Sequence, residues 1–173
     1  MKNIITILLL ILSITSYGQT KLDMLAFESL NKYRVENGVK PLIFDTAVWK
    51  AAQHHSVYLG ENGYPYNYVC SSGHLELVLV NFYDRLNHFG VKWVGTGAEC
   101  VATWGCRGSG EKNVIQVLHQ WDGSPSHKEG LLKKDVTRVA ISLVAVPWVR
   151  HKYGRTWDCL LYTSDAADER LRV

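Results

Sequence analysis

Three residues of this chain have side chains suited to chemistry and sit in local settings that set them apart: His74, Glu99 and His127. His74 follows Ser71-Ser72-Gly73, and Glu99 lies within Gly97-Ala98-Glu99-Cys100. His127 is the third residue of a helix start, Ser124-Pro125-Ser126-His127, in which serine caps and proline fits the first helical position. Neutral imidazoles with one carboxylate can hold a divalent ion and leave a water on it, an arrangement that suits zinc. The same groups can move protons near neutral pH, because histidine titrates there. The other five histidines, His54, His55, His88, His119 and His151, read as surface or core side chains. His55 falls on the apolar face of its helix and His119 on the polar face of its own.

The common hydrolase signals are missing. The chain has no His-Glu-x-x-His, no Gly-x-Ser-x-Gly and no phosphate-binding glycine loop. Gly95-Thr-Gly97 lacks a third glycine and a following helix, which excludes a dinucleotide site. Charges are interspersed, with 16 Lys+Arg against 13 Asp+Glu between residues 19 and 158, so nucleic acid is not a partner. Cys70, Cys100 and Cys106 precede Cys159. In an oxidising compartment Cys100 and Cys106 are the pair that closes a short loop, with buried free thiols as the alternative. Zinc ligation by these cysteines is the weaker reading, since no Cys-x-x-Cys spacing occurs. Six tryptophans are scattered over different elements, which points to core packing rather than a sugar-binding surface.

The elements that must position these residues are legible from periodicity. Residues 1–18 read as a secretory signal peptide: a positive start, an apolar run from Ile4 to Ile14, then small residues. That run is too short to span a bilayer, so the mature chain, beginning near Gln19, is expected outside the cytoplasm, extracellular or periplasmic, with no transmembrane segment. Leu22, Leu25, Ala26, Leu30 and Tyr33 predict a helix over 21–37, stopped by Gly38 and Pro41. Asp45 caps a second helix reaching Asn62-Gly63. Residues 64–73 are a loop, and 81–89 form a short helix closed by Gly90. Residues 98–102 predict a central strand, 104–110 a glycine-rich loop and 111–122 a helix carrying Val114, Val117, Leu118 and Trp121. Val139–Val146 is a buried strand, and Arg155–Asp158 begins a last one. Helices with strands arriving late give an α+β fold in one domain, 19–158. Residues 159–173, beginning CLLYTSDAADE, resemble an in-frame translated sequencing adapter. They are expected to be non-native, to leave the C-terminal strand truncated and to pack against nothing; an acidic tail is the alternative.

The order of local words resembles the CAP superfamily (cysteine-rich secretory protein, antigen 5 and pathogenesis-related proteins, SCP-like domain) in its bacterial form. Asn31-Lys32-Tyr33-Arg34 with Pro41-Leu42 stands for its Asn-x-x-Arg word, and Asp45 with Ala52-Gln53-His54-His55-Ser56 for the Ala-x-x-His-Ser helix. Gly73-His74 resembles its serine-histidine after the loop. Phe82-Tyr83-Asp84-Arg85-Leu86 with Gly90 resembles Phe-x-Asp-Arg-Leu. Gly97-Ala98-Glu99-Cys100 resembles Gly-Glu-Asn, and Trp121-Asp-Gly-Ser124-Pro125-Ser126-His127 resembles Trp-x-x-Ser-Pro-Gly-His. The words run in family order from Phe27 to Val146. Ala98 is inserted before the glutamate, and Cys100 replaces the asparagine after it.

The resemblance implies a three-layer α-β-α sandwich with a mainly antiparallel sheet, and a cleft lined by His74, Glu99, His127 and Ser124. Ser124 stands where plant and animal members carry a second glutamate. A zinc or other divalent cation would sit on His74 and His127. The implied function is a secreted binding module for an extracellular lipid, glycan, protein or metal ion. The alternative is a metal- or water-dependent, peptidase-like hydrolase in the same cleft. Binding is preferred, because no nucleophile system is visible.

Overall fold

A computed structural model describes residues 19–61, 76, 78–92, 95–105, 109–147 and 158–167. Helix α1 (Lys21–Glu36) starts at a reciprocal cap. The Thr20 hydroxyl accepts from Asp23 N at 3.1 Å, and the Asp23 carboxylate accepts from Thr20 N at 2.8 Å. The helix stops where Gly38 takes φ 71°, a left-handed value that glycine adopts without strain. Strand β1 (Ile43–Phe44) leads into α2 (Thr46–Glu61), whose free amides at Ala47 and Val48 donate to Asp45 Oδ1. Asp45 also accepts from Arg138 Nη1 at 2.8 Å, so the cap ties α2 to β3 (Arg138–Pro147). Helix α3 (Phe82–His88) repeats the reciprocal cap with Asn81 and Asp84. Strand β2 (Glu99–Gly105), helix α4 (Gly110–Asp122), helix α5 (Pro125–Leu131) and strand β4 (Asp158–Ala167) complete the described elements.

The sheet order is β1-β3-β4-β2, with β1 parallel to β3 and β4 antiparallel to both of its neighbours. Side chains alternate between faces along a strand, and β3 separates two cores by this rule. Val139, Ile141 and Leu143 pack with Ala26, Leu30, Val114, Val117, Trp121 and Leu131, the layer of α1, α4 and α5. Ala140 packs on the opposite face with Val48, Trp49, Ala51 and Leu86, the layer of α2 and α3. The result is helices on both faces of one sheet.

The family word Asn31-x-x-Arg34 is a structural clamp. Asn31 donates to Leu42 O at 2.9 Å and accepts from Leu42 N at 2.8 Å. Arg34, 0% exposed, donates to the carbonyls of Lys40, Leu131 and Lys133, joining α1, the following turn and the end of α5. Asp23 likewise ties three elements together, accepting from Trp49 Nε1 and Leu143 N as well as its own cap.

The expectation of an unpacked tail beyond residue 158 does not hold. Cys159 to Ala167 belong to β4, which pairs along its whole length with β3 and, as far as Asp165, with β2. The physical reason is twofold. Tyr162 and Thr163 favour a strand, and Leu160 and Leu161 are apolar. Without β4, the facing edges of β2 and β3 would leave two rows of backbone donors and acceptors unpaired inside the sheet.

Candidate functional site

Helix α5 follows α4 through the short Gly123-Ser124 corner, and its orientation is set by charge on the outside and packing within. Asp122 accepts from the Tyr33 hydroxyl at 2.6 Å and pairs with Lys128 Nζ at 2.8 Å, linking α1, α4 and α5. The Lys128 and Tyr33 hydrogen bonds hold the Asp122 carboxyl below its ordinary range. On the inner side, a Cβ on Gly130 would lie 3.2 Å from Ala98 Cβ and 3.5 Å from Cys100 Sγ. Glycine at 130 thus lets α5 lie directly against the start of β2. Cys100 Sγ is 3.9 Å from the His127 carbonyl.

Within α5, the Ser124 hydroxyl makes no cap bond to the helix. It is hydrogen-bonded instead to His127 Nδ1 at 2.8 Å. When Nδ1 carries the proton, the lone pair sits on Nε2, the form that a metal or a transferred proton requires. Two sequence-predicted residues, Ser124 and His127, therefore act as a unit.

Glu99 goes elsewhere. It begins β2, and its neighbour Cys100 faces the α1, α4 and α5 layer. By strand alternation Glu99 points to the other face, where its carboxylate pairs with Arg85 Nη2 of α3. The Glu99 side chain is 3% exposed and that of Arg85 0%. Arg85 Nη1 reaches a second carboxylate, Glu76 Oε1, at 3.6 Å, and the Leu79 carbonyl at 3.4 Å. Glu76 in turn is bound by His55 Nδ1 at 2.6 Å and His54 Nε2 at 3.0 Å. Burial pushes the Glu76 carboxyl up, but the two histidine hydrogen bonds and the charges of His55 and Arg85 outweigh it and bring it down to about 2.

The structure thus sets the start of α5 against the start of β2, where Cys100 Sγ meets the His127 carbonyl, and pairs the Glu99 side chain with Arg85. His74, Cys70 and Cys106 lie outside the described residues, and with them the second imidazole and the Cys100 pairing; Cys100 itself is buried. Glu76, Arg85, His54 and His55 form the cluster that reading the sequence for single reactive residues does not find. Its signals were present: two adjacent histidines with one on an apolar helix face, and an arginine inside the Phe82–Leu86 word. Among the described residues no group of three or more His, Cys, Asp or Glu is placed to hold a metal ion.

The model of the cysteine-rich secretory protein family, CAP, matches residues 27–153. No curated protein sequence matches the chain. Among solved structures the chain is similar to an extracellular protein containing an SCP domain from Bacillus anthracis, with a TM-score of 0.61 and 20% identity. That match covers 86% of this chain and 40% of the other. An outer surface protein from Borrelia burgdorferi gives 0.60 and 20%, covering 88% and 97%. A cysteine-rich secretory protein from Staphylococcus aureus gives 0.52 and 16%, covering 86% and 38%. The chain therefore spans well under half the length of the Bacillus and Staphylococcus proteins, and at these identities the likeness is one of fold. With the family model matched across most of the sequence, and its words found on α1, α2, α3, β2 and α5, the chain belongs to the CAP family of cysteine-rich secretory proteins.

Proposed function

We propose that this chain is an exported CAP-domain binding module whose ligand site lies where the first turn of α5 meets the start of β2. His127, Ser124, His74 and Glu99 line the cleft in this reading, with Glu99 also paired to Arg85. Export follows from the signal-like residues 1–18, and it agrees with the extracellular and outer-surface character of two structural neighbours. No helix among the described residues is long and apolar enough to cross a membrane. The ligand is a small extracellular molecule or ion: a lipid, a glycan, or a divalent cation such as zinc held by His74 and His127.

The observation that carries the proposal is the commitment of Glu99 to Arg85. A hydrolase that used Glu99 to hold or activate water would have to draw on a carboxylate already buried in an ion pair. Binding asks only for an oriented imidazole and hydroxyl, which the 2.8 Å His127–Ser124 contact supplies. That same contact is the one observation favouring a hydrolase as second reading, because an oriented imidazole is also a general base.

Calorimetric titration of the full chain with zinc, followed by lipid and glycan panels, tests the proposal. His127→Ala and His74→Ala are expected to abolish binding with the fold intact, and His88→Ala to leave it unchanged. Turnover of peptide or ester substrates by the wild type, lost in His127→Ala, would establish the hydrolase instead.

A further inference from the structure

The fold takes hold at Thr20. Its hydroxyl accepts from Asp23 N at 3.1 Å, and its own N–H donates to Asp23 Oδ2 at 2.8 Å. Asp23, 1% exposed, also accepts from Trp49 Nε1 and Leu143 N, so the cap is fastened to α2 and β3. Gln19 stands just outside this hub, exposed and in neither helix nor strand. Its side chain borders an open groove of about 430 Å³ beside Lys21, Glu28 and Glu111. Its amide Nε2 lies 3.4 Å from Thr46 Oγ1, a long contact on the surface. Immediately before it, Ser16-Tyr17-Gly18 puts small residues at the first and third positions ahead of the Gly18–Gln19 bond, the pattern at which an export signal is cut. A cut there frees an α-amine on a glutamine, whose own side-chain amide carbon lies at the spacing that closes a five-membered ring.

We propose that export leaves Gln19 as the first residue, and that it becomes pyroglutamate by closing its side chain on its own α-nitrogen. This start rests on the reading of residues 1–18 as an export signal. The lone pair of the α-nitrogen attacks Cδ, an N–Cδ amide bond forms, and the Cδ–Nε2 bond breaks. Nε2 leaves as ammonia with the proton that the α-nitrogen gives up, so nothing is oxidised and no second substrate is consumed. Exposure gives the side chain room to turn back, and the contact surrendered is the long one to Thr46, whose hydroxyl is left to water. The ring keeps the Gln19 carbonyl and the Thr20 N–H, so the cap of α1 is untouched. The charge removed is a cation beside Lys21 at the positive end of α1, where a neutral end group is favoured. The exported chain then has no free α-amine and is closed to exopeptidases that need one.

Intact-mass measurement tests this on the full chain, produced from its complete sequence in an exporting bacterium and collected fresh from outside the cytoplasm. The protein is expected to begin at residue 19 and to weigh one ammonia less than a chain with an open glutamine there. It should resist stepwise amino-terminal degradation until a pyroglutamyl aminopeptidase exposes Thr20. Gln19→Asn keeps the cut but offers a side chain one carbon too short for the ring. That variant should keep its ammonia and degrade directly from residue 19. An open Gln19 that persists through prolonged incubation at neutral pH overturns the cyclisation and leaves the export reading standing. A Gln19→Asn chain that is equally blocked also overturns it, because another group then closes the end. A chain cut at another bond overturns the start at Gln19. A chain still carrying residues 1–18 overturns the export reading, and the modification with it.

Discussion

Arg34 and Arg85 are both fully buried, and the molecule satisfies them in opposite ways. Arg34 donates to three backbone carbonyls, groups that carry no net charge and never titrate. Arg85 meets two carboxylates, one of which is also held by two imidazoles. The first arrangement is a clamp whose strength is indifferent to pH. The second is a set of mutually dependent charges, in which removing any member leaves another uncompensated in a poorly solvated place. A buried charge is therefore not evidence of one role. The identity of its partners decides whether it fastens the fold or poises a site.

Substitutions at the two arginines should separate these roles. Arg85→Met leaves Glu76 and Glu99 buried without their cation, and a loss of about 3–5 kcal/mol at neutral pH is expected from denaturant unfolding. Arg85 is one of the groups that lower the Glu76 carboxyl, so its loss raises that carboxyl's folded-state pKa relative to the wild type, and the deficit should shrink as pH falls below about 4.5. A deficit flat with pH would erase the contrast with Arg34.

Glu76→Gln probes the same cluster from the acid side. Its carboxyl falls from 4.5 to about 2 on folding, so its contribution is complete above about pH 4.5 and disappears as pH falls toward 2. At neutral pH this amounts to about 3 kcal/mol. The wild type should lose that stability between pH 4.5 and 2, and Glu76→Gln should have a flatter acid limb in the same window.

Arg34→Met should cost about 2–3 kcal/mol, because three carbonyls lose a charged donor and those of Lys40 and Lys133, being only part-buried, can turn to water. Carbonyls do not titrate, so this loss should be constant from roughly pH 3 to 8. Asn31→Ala, which removes the paired contact to Leu42, should cost about 1–2 kcal/mol and show the same flat profile. His88→Ala lies outside both systems on an exposed part of α3 and should change stability by no more than about 0.5 kcal/mol.

Much of the clamp region is legible in the sequence. The Leu22, Leu25, Ala26 and Leu30 spacing places α1, Gly38 ends it, and the apolar, β-branched run Val139–Val146 before Pro147 identifies a buried strand. Ser124-Pro125 marks the start of α5, and with it the position of His127. The Arg85 cluster is not legible in the same way, because nothing local distinguishes a glutamate bound by two histidines from one on a solvated surface. Burial of Glu76 and Arg85 is decided by where α2, α3 and β2 meet, which is a tertiary fact. Glu99 shows the limit most clearly: its place at the head of β2 follows from the Gly97–Cys100 word, but the face it occupies depends on strand phase. Residues 158–167 mislead for a different reason. A composition that reads as foreign to a globular domain still contains an apolar, strand-favouring run, Leu160 to Thr163, and it fills the vacancy between β3 and β2.

That vacancy has a consequence for how the molecule is made. β4 lies between β3 and β2, yet both of these precede it along the chain. The sheet cannot close in the order of synthesis. Until residues 158–167 are available, β2 and β3 wait as separate elements with open edges facing one another across an empty lane. Inserting a strand there joins segments some sixty residues apart at the β2 side, so the step is slow by nature and exposes sticky edges while it is pending. A polypeptide that crosses a membrane unfolded would meet this hazard on the far side, and a partner that shields those edges during the wait would raise its yield without touching the finished protein.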